Sequence, residues 1–246
     1  VLFAVLLFVV TLPAAAPPAL DTQGSAAIGT FLKAAIARGD VPGVVVLVTG
    51  PDRVLYHEAY GKMNTAKGVE MQKDTIFNIA SMTKAVTSVG TMMLVEEGKL
   101  ALDDDVSKYL PAFKSPKVIS KVDLAAGTYE TRPATKAITI RQLLTHTSGI
   151  GYSWSDPGLA LVQKKTGAAD LDLPLVNEPG AQWTYGASTR VLGHVIEKIS
   201  GQTIDAFLEA RILGPLGMRD TTYAVPASKT SRVVTRNQKA DGKIVE

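Results

Sequence analysis

Cysteine is absent from the 246 residues and histidine occurs only three times. The first absence excludes disulfides, a cysteine nucleophile and thiolate zinc sites, and fits either the cytoplasm or an exported bacterial protein. The histidines, His57, His146 and His194, are far apart in sequence, and no Gly-x-Ser-x-Gly elbow occurs, so a Ser-His-Asp hydrolase gains no support. Excess charge of one sign is also lacking. With 26 Lys and Arg scattered against 23 Asp and Glu, the net charge is +3, and nothing argues for nucleic acid as a partner. The short basic cluster Arg236 to Lys239 reads as a solvated loop. What remains is 46% hydrophobic with unremarkable Gly and Pro content, a globular composition with room for a sizeable core in one or two domains.

Long hydrophobic runs are missing as well. The apolar stretch Val1 to Leu12 is too short to span a bilayer comfortably, and Pro13 with an Ala/Pro-rich segment to Leu20 follows it. Residues 1–20 therefore read as a partial signal peptide, with Ala14-Ala15-Ala16 as a small-residue cleavage site. A positive n-region and an initiator Met are wanting, so the start looks truncated. Export to the periplasm or the medium is the expectation, without a stable membrane span after cleavage.

The stretch Phe77-Asn78-Ile79-Ala80-Ser81-Met82-Thr83-Lys84 leads into a run in which Ala85, Val86, Val89, Met92, Met93 and Val95 recur at three- and four-residue spacing. Gly98 stands where a helix stop belongs, so the pattern predicts a buried helix with Ser81 at its first turn. Free N–H groups and the positive dipole end there favour a negative oxygen developing beside Ser81. Lys84, three residues on, lies one turn along the same face, where its amine can approach the Ser81 hydroxyl. A lysine kept neutral by desolvation could take the serine proton. On the four residues alone, a helix cap followed by a solvated lysine is the weightier reading.

Around this stretch the spacing predicts a helix over Ser25 to Arg38 with Ala26, Phe31, Leu32, Ala35 and Ile36 facing inward, and a β-hairpin of Val44 to Val48 and Val54 to Tyr60 turning at Gly50-Pro51-Asp52-Arg53. Asp103-Asp104-Asp105 reads as a solvated turn rather than a metal loop. Residues from about Lys114 to Ala137 read as an irregular connection. Thr139 caps a short helix leading into Thr145-His146-Thr147-Ser148-Gly149-Ile150-Gly151-Tyr152. Pro179-Gly180 marks a turn, and Val191, Leu192, Val195, Ile196 and Ile199 mark a helix ending near Gly201, with Tyr185 on the loop before it. A further amphipathic helix runs from Thr203, as its cap, to Leu213.

Phe77 to Lys84, Gly98 to Pro111, the Leu-Leu-Thr-His-Thr-Ser-Gly block and the segment Glu178 to Gly193 together resemble the serine β-lactamase and D,D-peptidase superfamily. The likeness is greatest to class C β-lactamases and family VIII carboxylesterases, and it covers roughly Phe31 to Tyr223. It implies an α+β fold (α/β plus all-α) of the serine β-lactamase and penicillin-binding-protein type. On this reading residues 21–75 begin the α/β domain, 76–225 form a mostly helical domain, and 226–246 start the return to the first. After the Glu178 to Gly193 segment the third superfamily motif, Lys-Thr-Gly or His-x-Gly on an edge strand, is not found, and truncation at the C-terminus is the expectation.

The resemblance also assigns roles. Ser81 is the nucleophile, Lys84 and Tyr185 share the proton, and the Ser81 backbone N–H is half of the oxyanion hole, the second donor lying outside this chain. His146 is structural, and Tyr152 borders the substrate. Ala187 stands where lactamases carry an Asn that binds the substrate amide. That departure favours ester over lactam substrates, so the implied protein is a serine hydrolase forming an acyl-enzyme, foremost a carboxylesterase on short-chain esters. A β-lactamase or D,D-peptidase is the alternative, and a non-catalytic penicillin-binding-like protein the third. The small-molecule ester or β-lactam is the only partner implied, with neither metal nor organic cofactor.

Overall fold

The computed structural model of the chain describes residues 21–240 and 243–245. The expected leader, residues 1–20, lies outside the described residues. Two compact units are formed, one by the described residues up to Asn78 together with the described ones from Pro226 on, the other by Ile79–Val225.

In the first unit helix α1 (Thr22–Ala37) is opened by Asp21, whose carboxylate accepts the Gly24 N–H at 2.5 Å. Strands β1 (Gly43–Thr49) and β2 (Val54–Asn64) pair antiparallel, from Gly43 opposite Gly61 to Thr49 opposite Val54. The short β3 (Val69–Glu70) extends this sheet in the order β1-β2-β3. Ile76 forms a parallel bridge with Val233, its N–H donating to the Arg232 carbonyl at 2.8 Å. The antiparallel pair β6 (Gln238–Ala240) and β7 (Lys243–Val245) follows. The inward face expected for α1 needs correction: Phe31 is 68% exposed and Ala26 is exposed too. The helix meets β2 through Gly29, where a Cβ would lie 2.9 Å from the Tyr60 hydroxyl. Phe31 is two residues on, about 200° around the helix from that contact.

The second unit is built on helix α2 (Thr83–Glu96), the hairpin of β4 (Lys117–Asp123) and β5 (Thr128–Pro133), and helices α3 (Ile140–Leu144), α4 (Pro157–Thr166), α5 (Ser188–Ser200) and α6 (Ile204–Leu208). A π-helical turn, Glu209–Leu213, continues α6. Leu94, Leu143, Leu192, Ile196 and Leu208 are almost fully buried in one core. Burial of each such side chain is worth roughly 1.5–3 kcal/mol.

Helix α5 carries that core on one face, with Val191, Leu192, Val195 and Ile196 buried, and ends at Gly201 in the left-handed conformation. It packs on α2 and α3. Helix α2 is buried on only one side, through Thr87, Gly90, Thr91 and Leu94, whereas Val89 and Met92, expected inside, are exposed. The buried threonine hydroxyls are satisfied within the helix, Thr91 donating to the Thr87 carbonyl at 3.0 Å and Thr87 to that of Thr83 at 3.2 Å. Helix α3 has the expected Thr139 cap as a full capping box with Gln142. Thr203 precedes α6 but gives no side-chain cap bond. Its hydroxyl instead serves Asp205, whose carboxyl it holds below the usual range.

The irregular connection expected over 114–137 is instead the β4–β5 hairpin, in register from Lys117 opposite Pro133 to Asp123 opposite Thr128. Its strands are polar, and the backbone anchors them: the Leu175 N–H donates to the Lys117 carbonyl at 2.7 Å and the Ile119 N–H to the Leu175 carbonyl at 2.9 Å. The three adjacent aspartates each serve a different group. Asp103 pairs with Arg141, Asp104 accepts from Ala101 N–H, Lys108 and Tyr109, and Asp105 caps Ser107. Among the described residues no helix is long and apolar enough to cross a membrane.

Candidate active site

Ser81 stands in a 3-10 turn, Ala80–Met82, that runs directly into α2. Ala80, just before it, has φ +43°, and His146 has φ +56°; these are the two non-glycine residues with positive φ among those described. Both flank the same site, where such backbone conformations cost on the order of 1–3 kcal/mol and are held by their surroundings. The Lys84 amine donates to Ser81 Oγ at 3.2 Å, one helical turn away as the spacing requires. The Tyr185 hydroxyl donates to the same oxygen at 2.6 Å.

Two cross-linked loops hold Tyr185 in place. The Thr184 N–H donates to the His146 carbonyl at 2.7 Å, Gly180 N–H to the Thr147 carbonyl at 2.7 Å, and Val176 N–H to the Gly149 carbonyl at 2.8 Å. The buried Ser148 and Ser188 hydroxyls share a bond of 2.9 Å, which ties the first loop to the start of α5. At Gly186 the loops are closest, because a Cβ there would stand 2.0 Å from the Ile150 carbonyl oxygen.

An aromatic wall surrounds the cation. Lys84 Nζ lies 4.9 Å from the Tyr185 ring centroid and 5.9 Å from that of Tyr152. Tyr152 stacks on Trp154 at 5.3 Å and meets Tyr185 edge-on at 5.9 Å, while Trp183 stacks on Tyr185 at 6.1 Å. The bond to Ser81 and then the bond to Lys84 hold the Tyr185 hydroxyl below its ordinary value near 10, because each stabilises the phenolate. His146 leans against Tyr185 with ring centroids 5.1 Å apart, and its buried Nδ1 has no partner. Burial, with the Lys84 charge behind it, pushes the imidazole below 6.5.

Ser81, Lys84 and Tyr152 open onto a cavity of about 470 Å³, which continues along the outer face of α5. A larger one, about 650 Å³, lies by the β4–β5 hairpin and is lined by Tyr129, Asp170 and Leu173 rather than by Ser81 or Lys84.

The structure thus brings Ser81, Lys84, Tyr185 and Tyr152 together. Ala187 does not join them: it is completely buried in the core at the start of α5, so its methyl group presents no surface to a ligand, contrary to a substrate contact at that position. Sequence reading missed Trp154, Trp183 and the α5 face with Arg190, His194 and Glu197. The polar spacing of that face, at i, i+4 and i+7 opposite an apolar stripe, was the available signal.

This architecture is the α+β serine β-lactamase and penicillin-binding-protein fold. Residues 28–246 match the Beta-lactamase family, and the chain belongs to it. It is 39% identical over 208 residues to Protein Rv1367c of Mycobacterium tuberculosis, covering 80% of this chain and 51% of that protein. To Esterase EstB of Burkholderia gladioli it is 36% identical over 197 residues, covering 74% and 47% respectively. Among solved structures, unliganded selenomethionyl simvastatin synthase (LovD) from Aspergillus terreus superposes with a TM-score of 0.78 at 28% identity, over 89% of this chain and 59% of that one. EstCE1, a hydrolase with promiscuous acyltransferase activity, does so with a TM-score of 0.74 at 27% identity, over 89% and 57%. The chain spans about half the length of the curated relatives it matches.

Proposed function

We propose that the protein is a serine acyl hydrolase, a carboxylesterase on short-chain esters, working through an acyl-enzyme on Ser81. The observation that carries this reading is the convergence of Lys84 Nζ and the Tyr185 hydroxyl on one serine oxygen. With the phenol deprotonated, Tyr185 takes the Ser81 proton while Oγ attacks the ester carbonyl, and Lys84 keeps the phenolate charge compensated. The proton then passes to the departing alcohol as its C–O bond breaks. Water, deprotonated by the same pair, releases the acid and restores the serine. The Ser81 backbone N–H is assigned one half of the oxyanion hole.

An ester rather than a lactam is the proposed substrate. The relationship to an esterase and to a hydrolase with acyltransferase activity supports the same choice. A β-lactamase or D,D-peptidase is the second reading, since the same three groups serve lactam opening. The test is turnover of p-nitrophenyl butyrate beside nitrocefin by the full-length protein. Butyrate turnover that Ser81→Ala abolishes is expected; faster nitrocefin hydrolysis would replace the esterase with the lactamase. The leader-like composition of residues 1–20 supports export.

A further inference from the structure

The cavity beside Ser81 has one feature that plain ester hydrolysis leaves unused. Helix α5 turns its apolar face into the core, and its opposite face puts Arg190, Gly193, His194 and Glu197 along the cavity wall. The only carboxylate in this row is engaged: Glu197 Oε2 lies 3.1 Å from His194 Nδ1, and Oε1 accepts the Ile204 N–H at 3.0 Å. Arg132, Arg141 and Arg211 of the same unit each grip a carboxylate, of Glu178, Asp103 and Glu97 respectively. Arg190, among the described residues, has no side-chain hydrogen bond, ion pair or ring contact. A planar fork of donors thus faces a cavity that also holds the nucleophile. Tyr223 lines the same cavity.

We propose that Arg190 selects esters that carry a free carboxylate, such as half-esters of dicarboxylic acids, by pairing with that carboxylate while the ester carbonyl lies at Ser81. The proposal rests on the hydrolase reading for its reactive end and on Arg190 alone for its charge preference. A guanidinium matches a carboxylate with two parallel N–H···O bonds, which lysine cannot reproduce. The pair is open to solvent, so the selectivity it confers is modest, roughly 5- to 10-fold, and it weakens as salt is raised.

Two measurements on the full-length protein test it. The first compares kcat/KM for mono-p-nitrophenyl glutarate and p-nitrophenyl butyrate in the wild type, Arg190→Lys and Arg190→Glu. Each variant is checked by circular dichroism for its fold. The wild type should prefer the charged ester by roughly 5- to 10-fold, Arg190→Lys less so, and Arg190→Glu should reverse the preference. The second uses Ser81→Ala protein and ligand-observed NMR with glutaric acid monoanilide and butyranilide, which differ in the carboxylate but need no turnover. Tighter binding of the charged anilide that Arg190→Glu removes supports the proposal, even if no ester is hydrolysed and the hydrolase reading fails. Ester turnover with equal rates for the two esters, or anilide affinities indifferent to Arg190→Glu, would overturn the proposal and leave the hydrolase reading intact.

Discussion

The Tyr185 hydroxyl donates to Ser81 Oγ at 2.6 Å across 104 residues of sequence. Lys84 reaches the same atom from within its own helix at 3.2 Å. If this pair moves the serine proton, Tyr185→Phe removes the base but little of the binding surface. We expect kcat for p-nitrophenyl butyrate to fall roughly 10²- to 10⁴-fold with KM nearly unchanged. Steady-state kinetics checks this; a KM effect alone would make Tyr185 a binding residue.

The pH dependence follows from the same contacts. Ser81 and Lys84 hold the Tyr185 hydroxyl below 10, so the phenolate fraction, and with it the rate of Ser81 phosphonylation, should rise with pH to a midpoint below that value. Lys84→Met removes a donor and a charge that favour the phenolate, and the midpoint should move up. Labelling rates with a fluorophosphonate across pH read both midpoints.

Much of this was legible in the sequence, but unevenly. The Ser81–Lys84 contact follows from a three-residue spacing on a helix, and the α5 register follows from its apolar stripe and Gly201. The Tyr185–Ser81 contact has no local signature, since spacing along a chain says nothing of two loops meeting. Resemblance alone pointed to it. The β4–β5 hairpin escaped because Val118 is its only buried residue, so no alternation marks it. Phe31 misled because an apolar residue on a surface helix need not face inward.

Gly186 is the tightest point between the two loops. In Gly186→Ala the new Cβ meets the Ile150 carbonyl oxygen and the Gly151 Cα at 2.0 and 2.7 Å, both backbone atoms that cannot swing aside. Stability should fall by roughly 2–4 kcal/mol, with loss of labelling at Ser81 as Tyr185 shifts. In Gly193→Ala, mid-α5, the nearest atom is Ile204 Cγ1 at 3.9 Å. That change should stabilise by about 0.5–1 kcal/mol through helix propensity. Urea unfolding of both variants checks the opposite signs.

His146 predicts a pH dependence of stability. Its folded value is lowered below 6.5 by burial and by Lys84, while the unfolded chain titrates near 6.5. Below 6.5 the unfolded state binds more protons, so this contribution is complete above 6.5, declines as pH falls through it, and levels off below the folded value. His146→Gln should flatten that part of the curve. Urea midpoints between about pH 5 and 8 report it, and an unchanged slope would assign the dependence elsewhere.

The central claim is that Ser81 becomes acylated. Rapid quenching of the full-length protein with p-nitrophenyl butyrate, followed by intact-mass analysis and peptide mapping, tests it most directly. We predict a mass increase equal to one butyryl group, located on the peptide carrying Ser81 and absent from Ser81→Ala. A butyryl group on another residue, or ester turnover that survives Ser81→Ala, would contradict the account.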